Sequence, residues 1–83
     1  MNVLIVGYGK IGKIKAKIWA SLGVEVYVYD TNELLNSEIS KDSFNLFDET
    51  KRLYDIIDIS TPAGTHFTAL QWSLSKIDHS NLF

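Results

Sequence analysis

The chain alternates short β-branched apolar runs with longer stretches whose apolar residues recur three or four positions apart. Residues 3–6 form the first run. It ends at Gly7 and predicts a strand buried on both faces, as in a parallel sheet. From Lys10 the period changes. Ile11, Ile14, Ile18 and Leu22 recur at helical spacing, with Lys10, Lys13 and Lys17 on the opposite side. This predicts an amphipathic helix over 10–22 that packs through its isoleucine stripe, with Gly23 as its stop. The valine- and tyrosine-rich residues 24–29 predict a second strand, ending at Asp30. Thr31 or Asn32 caps a short helix through Leu34 and Leu35. The polar residues 37–43 read as a loop and 44–47 as a brief strand. Residues 48–53 read as one or two helical turns, acids first and bases last, as the helix dipole prefers. An isoleucine-rich strand follows over 55–60, punctuated by Pro62 and Gly64. Thr65 then begins a helix in which Phe67, Leu70, Trp72, Leu74 and Ile77 supply apolar surface, and 81–83 look like the first step of another strand. Alternation of this kind predicts an α/β layer fold with a mainly parallel sheet.

Length and composition narrow this. The chain has 83 residues, one domain at most, and a doubly wound domain usually continues beyond such a point. It therefore reads as the N-terminal part of a longer domain. An apolar share of 46% with 22% charged residues is that of a globular chain, which excludes disorder. Cysteine is absent, which removes disulfides and thiolate chemistry, and two separated histidines do not make a structural zinc site. No apolar run approaches the roughly 20 residues of a membrane span, and no secretory signal is visible. The expectation is a cytoplasmic protein without a membrane partner. Net charge is −2 but uneven: residues 1–23 carry four lysines and no acid, and residues 24–58 carry nine acids against three bases. Overall acidity argues against nucleic acid; a local anion such as a phosphate suits the basic start better.

Candidate chemistry lies in Gly7-Tyr8-Gly9-Lys10-Ile11-Gly12, a G-x-G-x-x-G turn. Alone such a turn is a weak signal. Here it follows a predicted strand, opens a predicted helix, and precedes an acid, Asp30, at the end of the next strand, 18 residues after Gly12. Gly7 permits the tight turn, Gly9 lets a pyrophosphate approach the backbone, and Gly12 lets the helix pack close. The helix N-terminus offers free N–H groups to phosphate, and Lys10 stands close enough to touch one. Asp30 accepts from ribose hydroxyls and repels a 2′-phosphate, so the expected cofactor is NAD rather than NADP. Lys15, toward the apolar side of the helix, is expected to snorkel. Asp55 and Asp58 read as strand-end residues, Trp19 and Trp72 as packing residues, and His79 as a loop residue. No catalytic residue and no metal ligand is assigned.

A second constellation is Asp58-Ile59-Ser60-Thr61-Pro62-Ala63-Gly64-Thr65-His66-Phe67, at the carboxyl end of a strand, where open α/β sheets bind ligands. The glycine turn with Ile14-Lys15-Ala16, Asp30, and residues 55–62 with His66-Phe67 resembles the N-terminal nucleotide-binding domain of the glucose–fructose oxidoreductase, inositol dehydrogenase and rhizopine-catabolism (Gfo/Idh/MocA) family. The resemblance implies a Rossmann-like three-layer fold, here incomplete. It also implies hydride transfer between a nicotinamide cofactor and a sugar or polyol. Thr61 and Pro62 would line the cofactor cleft, and His66 would lie near the nicotinamide ribose. The family's Glu-Lys-Pro motif would fall just past Phe83. Two other readings share the glycine turn and strand-end acid: a dinucleotide-sensing regulatory module, and the nucleotide-binding domain of a prephenate- or hydroxy-acid-type dehydrogenase. The outer edge of the 55–60 strand, if unpaired, favours a homo-oligomer.

Overall fold

The computed structural model describes residues 1–48, 50, 53–61 and 78–79. Among the described residues the elements are β1 (Asn2–Val6), α1 (Lys10–Ser21), β2 (Glu25–Tyr29), a 3-10 turn (Glu33–Leu35), α2 (Asn36–Lys41), β3 (Asn45–Leu46), β4 (Leu53–Tyr54), β5 (Ile56–Ile59) and β6 (Asp78–His79). Four strands form one sheet in the order β3-β2-β1-β5, every neighbouring pair parallel. β4 and β6 pair, also in parallel, as a separate two-stranded sheet. This is a small Rossmann-like α/β arrangement. Val6 stands opposite Tyr29 on one side and Ile59 on the other, so β1, β2 and β5 end level with one another.

β1 is central, which is why its run is apolar throughout. Val3 and Ile5 face a cluster with Tyr8, Ala16, Val26, Val28, Ile39 and Ile56, while Leu4 and Val6 face one with Tyr54 and Ile57. Each fully buried aliphatic chain in these clusters stabilises the fold by about 1.5–3 kcal/mol. At the other end of the strands Asn2 and Asp55 exchange hydrogen bonds, Asn2 N to Asp55 Oδ2 and Asp55 N to Asn2 Oδ1, both 2.8 Å. They tie the start of β1 to the start of β5, a structural use of a strand-end acid.

Helix α1 occupies its expected span but not its expected orientation. Its buried residues are Gly12 and Ala16, with Trp19 partly buried against the core. The stripe of Ile11, Ile14, Ile18 and Leu22 is exposed. The reason is distance: a helix resting on glycine and alanine approaches the sheet too closely for isoleucine to fit between. A matched pair of substitutions checks this. Ile18→Lys, at a position 53% exposed, should change stability by no more than about 0.5 kcal/mol in urea denaturation. Ala16→Ile should cost about 1–3 kcal/mol by overpacking.

The middle of the chain also differs from expectation. The polar pattern of residues 37–43 predicts a loop, yet α2 covers Asn36–Lys41 and buries Ile39 completely. A six-residue helix with one buried apolar position has no periodicity to display. It carries Glu38 in its first turn and Lys41 in its last, and ends through Ser43 at φ 68°. Asn32 does cap the 3-10 turn, its side chain accepting from Leu34 N at 3.1 Å. Of the helical turns expected over 48–53, residues 49, 51 and 52 lie outside the described residues, and Leu53 opens β4 instead. His79, read as a loop residue, lies in β6. The helix expected from Thr65 to Ile77 and the strand over 81–83 lie outside the described residues.

Candidate functional site

At the carboxyl ends of β1, β2 and β5 the glycine turn takes its shape from three different constraints. Gly7 has φ 106°, a backbone conformation that side-chain-bearing residues rarely adopt. A Cβ there would also stand 2.9 Å from Thr61 N and 3.0 Å from Ser60 C. At Gly12 a Cβ would lie 1.9 Å from the carbonyl oxygen of Gly7, so this glycine exists to let the first turn of α1 sit on the preceding turn. Gly9 is different. It is exposed, and nothing in the chain lies within 4 Å of where its Cβ would be. The chain itself imposes no packing demand for glycine there; the space is open for something outside to approach the backbone.

Gly9 is also the N-cap of α1. No side chain caps the helix and no acid stands in its first turn. The first intrahelical bond runs from Lys13 N to Gly9 O at 2.9 Å. The amides ahead of it are those a helix leaves without an intrahelical acceptor, at its electropositive end. Lys10 and Ile11 are exposed beside them. Such an end suits an anion.

Asp30 follows β2, and its carboxylate is already engaged. Oδ2 accepts from Tyr8 N at 2.7 Å and Oδ1 from Asn32 N at 2.8 Å. Asp30 thus ties the glycine turn to the end of β2. Each carboxylate oxygen keeps a further lone pair, so acceptance from ribose hydroxyls remains open to it. The side chain of Tyr8 plays no part at this surface. It is fully buried, meets Phe44 edge-on at 6.3 Å, and donates its hydroxyl to Asp42. Burial first, and then the hydrogen bond and charge of Asp42, push its phenol well above the ordinary range, so it stays a donor. Only the backbone of Tyr8 takes part in the turn, through its N–H to Asp30.

The backbone of Thr61 lies against Gly7, at the mouth of the turn. Pro62 and His66 lie outside the described residues. Lys13 is drawn away from the turn: it pairs with Glu38 at 2.8 Å and lies 5.6 Å from the Tyr8 ring centroid. Lys15 does not merely snorkel. Its Nζ meets Asp58 Oδ1 at 2.9 Å, and Trp19 Nε1 donates to Asp58 Oδ2 at 3.0 Å. Asp58, read as a strand-end residue, is buried within β5. A signal for this was present. An acid one place inside an isoleucine run needs a cation, and Lys15 and Trp19, four apart, share one face of α1.

A dinucleotide fits these features: an open approach at Gly9, an uncapped helix start, and a carboxylate at the end of β2. A family model described as the D-isomer specific 2-hydroxyacid dehydrogenase, NAD binding domain, matches residues 1–71. The chain belongs to that family. Its cofactor is NAD, and it is the nucleotide-binding domain of a dehydrogenase. The resemblance to the sugar-oxidising Gfo/Idh/MocA family is thereby overturned in favour of the hydroxy-acid type. The reason lies in the residues themselves. The glycine turn and strand-end acid answer to the dinucleotide, which both families share, and not to the substrate. No curated protein and no solved structure matches the chain significantly. Among the described residues, no helix is long and apolar enough to cross a membrane, and no cluster of acids and histidines forms a metal site.

Proposed function

We propose that the chain is an NAD-binding domain serving an oxidoreductase that acts on a 2-hydroxy acid. The observation that carries the NAD-binding part of this reading is the turn in which Gly9 is open while Gly7 and Gly12 are closed by the chain; the hydroxy-acid part is supported by the family match over residues 1–71. Bound NAD supplies the hydride acceptor. The chain binds and orients. The backbone amides of Gly9, Lys10, Ile11 and Gly12 receive the pyrophosphate at the start of α1, with Gly7 and the Tyr8 backbone shaping the turn. Lys10 adds a positive charge beside it. Asp30 accepts from the adenosine ribose and repels a 2′-phosphate, which selects NAD over NADP. Thr61, Pro62 and His66 are the proposed continuation of the cleft toward the nicotinamide. None of these residues is assigned a catalytic step, and the chain by itself is expected to turn over nothing.

Calorimetric titration of the chain with NAD and with NADP tests the binding part. NAD should bind and NADP should bind at least tenfold more weakly, about the factor that 1.4 kcal/mol of charge repulsion provides. Equal or tighter binding of NADP sinks the assignment of Asp30. For the substrate class, NADH should be consumed with a 2-oxo acid by the enzyme that carries this domain. Turnover with a polyol and none with a 2-oxo acid removes the hydroxy-acid reading.

A further inference from the structure

The glycine turn is held from two sides. On one, α1 rests on it, with Gly12 against the Gly7 carbonyl. On the other, the backbone of Ser60 and Thr61, just beyond β5, lies against Gly7 at 2.9–3.0 Å from its Cβ position. Helix and strand therefore set the space in which the turn sits. One side-chain cluster joins them. Asp58 of β5 is 6% exposed and receives Lys15 on one oxygen and Trp19 on the other, both from α1. Ser60 Oγ stands 3.5 Å from Asp58 Oδ1, at the strand end that touches Gly7. Asp58 faces Ile5 across the sheet, two positions below the turn.

We propose that Asp58 and Lys15 are positioning residues for the cofactor: by tying α1 to β5 they hold the Gly7–Gly12 turn, and with it the helix-start amides, at the spacing a pyrophosphate needs. That the occupant is a dinucleotide rests on the NAD reading above; that the pair sets the turn does not. The physical basis is the cost of a buried charge. A carboxylate out of water is tolerated only while paired and hydrogen-bonded. Without Lys15, the buried Asp58 carboxylate loses its cation and shifts toward water. That shift relaxes the tie between the two elements that enclose Gly7.

Three variants test this, each studied well below its own melting temperature: Lys15→Met, Lys15→Arg and Asp58→Asn. Lys15→Met should shift the amide NMR resonances of Gly7, Gly9 and Gly12. It should also weaken NAD about tenfold, the factor that corresponds to about 1.4 kcal/mol of lost positioning. Lys15→Arg should restore both. Asp58→Asn, nearly isosteric, should repeat the effect of Lys15→Met if that variant folds poorly. Changed melting temperature with unmoved glycine resonances and unchanged NAD affinity overturns the proposal, since a merely structural pair behaves that way. If the unaltered chain fails to bind NAD, the NAD reading falls, and the glycine resonances alone decide: moved by Lys15→Met and restored by Lys15→Arg sustains the tie, unmoved refutes it.

Discussion

Gly12→Ala should lower stability by about 3 kcal/mol or more and leave no measurable NAD binding. The new methyl would sit 1.9 Å from the Gly7 carbonyl oxygen. That neighbour is backbone, so it does not swing aside as a side chain would; α1 or the turn must move. Overpacking of a flexible core site costs about 1–3 kcal/mol, and a rigid backbone contact belongs at or above that range. Gly9→Ala is the informative partner. No chain atom lies within 4 Å of its Cβ position, so stability should change by less than about 1 kcal/mol. NAD affinity should still fall sharply, because the methyl occupies the space a pyrophosphate would use. Urea denaturation and calorimetry on the two variants separate packing from ligand approach. Gly12→Ala as stable as the parent, or Gly9→Ala with full NAD affinity, contradicts the roles given to these glycines.

Asp30→Ala should reduce NAD affinity by at least tenfold and cost the domain about 1–3 kcal/mol. Two effects combine. The ribose loses its acceptor, and the amides of Tyr8 and Asn32 lose theirs. The Tyr8 residue is buried, so its amide has no ready access to water as a replacement. Asp30→Asn distinguishes charge from hydrogen bonding. The amide oxygen still accepts, but the negative charge is gone. NADP should then bind closer to NAD than in the parent. An unchanged preference for NAD in Asp30→Asn would show that charge at this position does not select the cofactor.

Much of the candidate site is written in local sequence. The turn, the helix that follows it and the acid at the end of β2 are encoded locally: glycine spacing, a change of period and a strand end are each read within a few residues. The substrate family was not legible. The features that stand out in this stretch are those any NAD-binding turn requires, and the family match over residues 1–71 was needed to separate the hydroxy-acid type from the sugar type. α2 was missed because a single buried isoleucine, Ile39, makes no pattern.

Local residue order sets where β1, α1, β2 and β5 run and which turn joins the first two, because backbone preference and apolar period act over a few neighbours. What those elements turn toward is set by how they pack. Periodicity marks an apolar stripe on α1 but not the surface it meets, and close contact between Gly12 and Gly7 placed that stripe in solvent. The same closeness brings Lys15 and Trp19 within reach of Asp58, contacts between residues 43 and 39 positions apart in the chain. Asp30 likewise became a tie to the turn as well as a candidate ribose acceptor, because parallel pairing of β1 with β2 sets their ends level. Long-range contacts are fixed by how elements stack, and a linear pattern carries no measure of that distance.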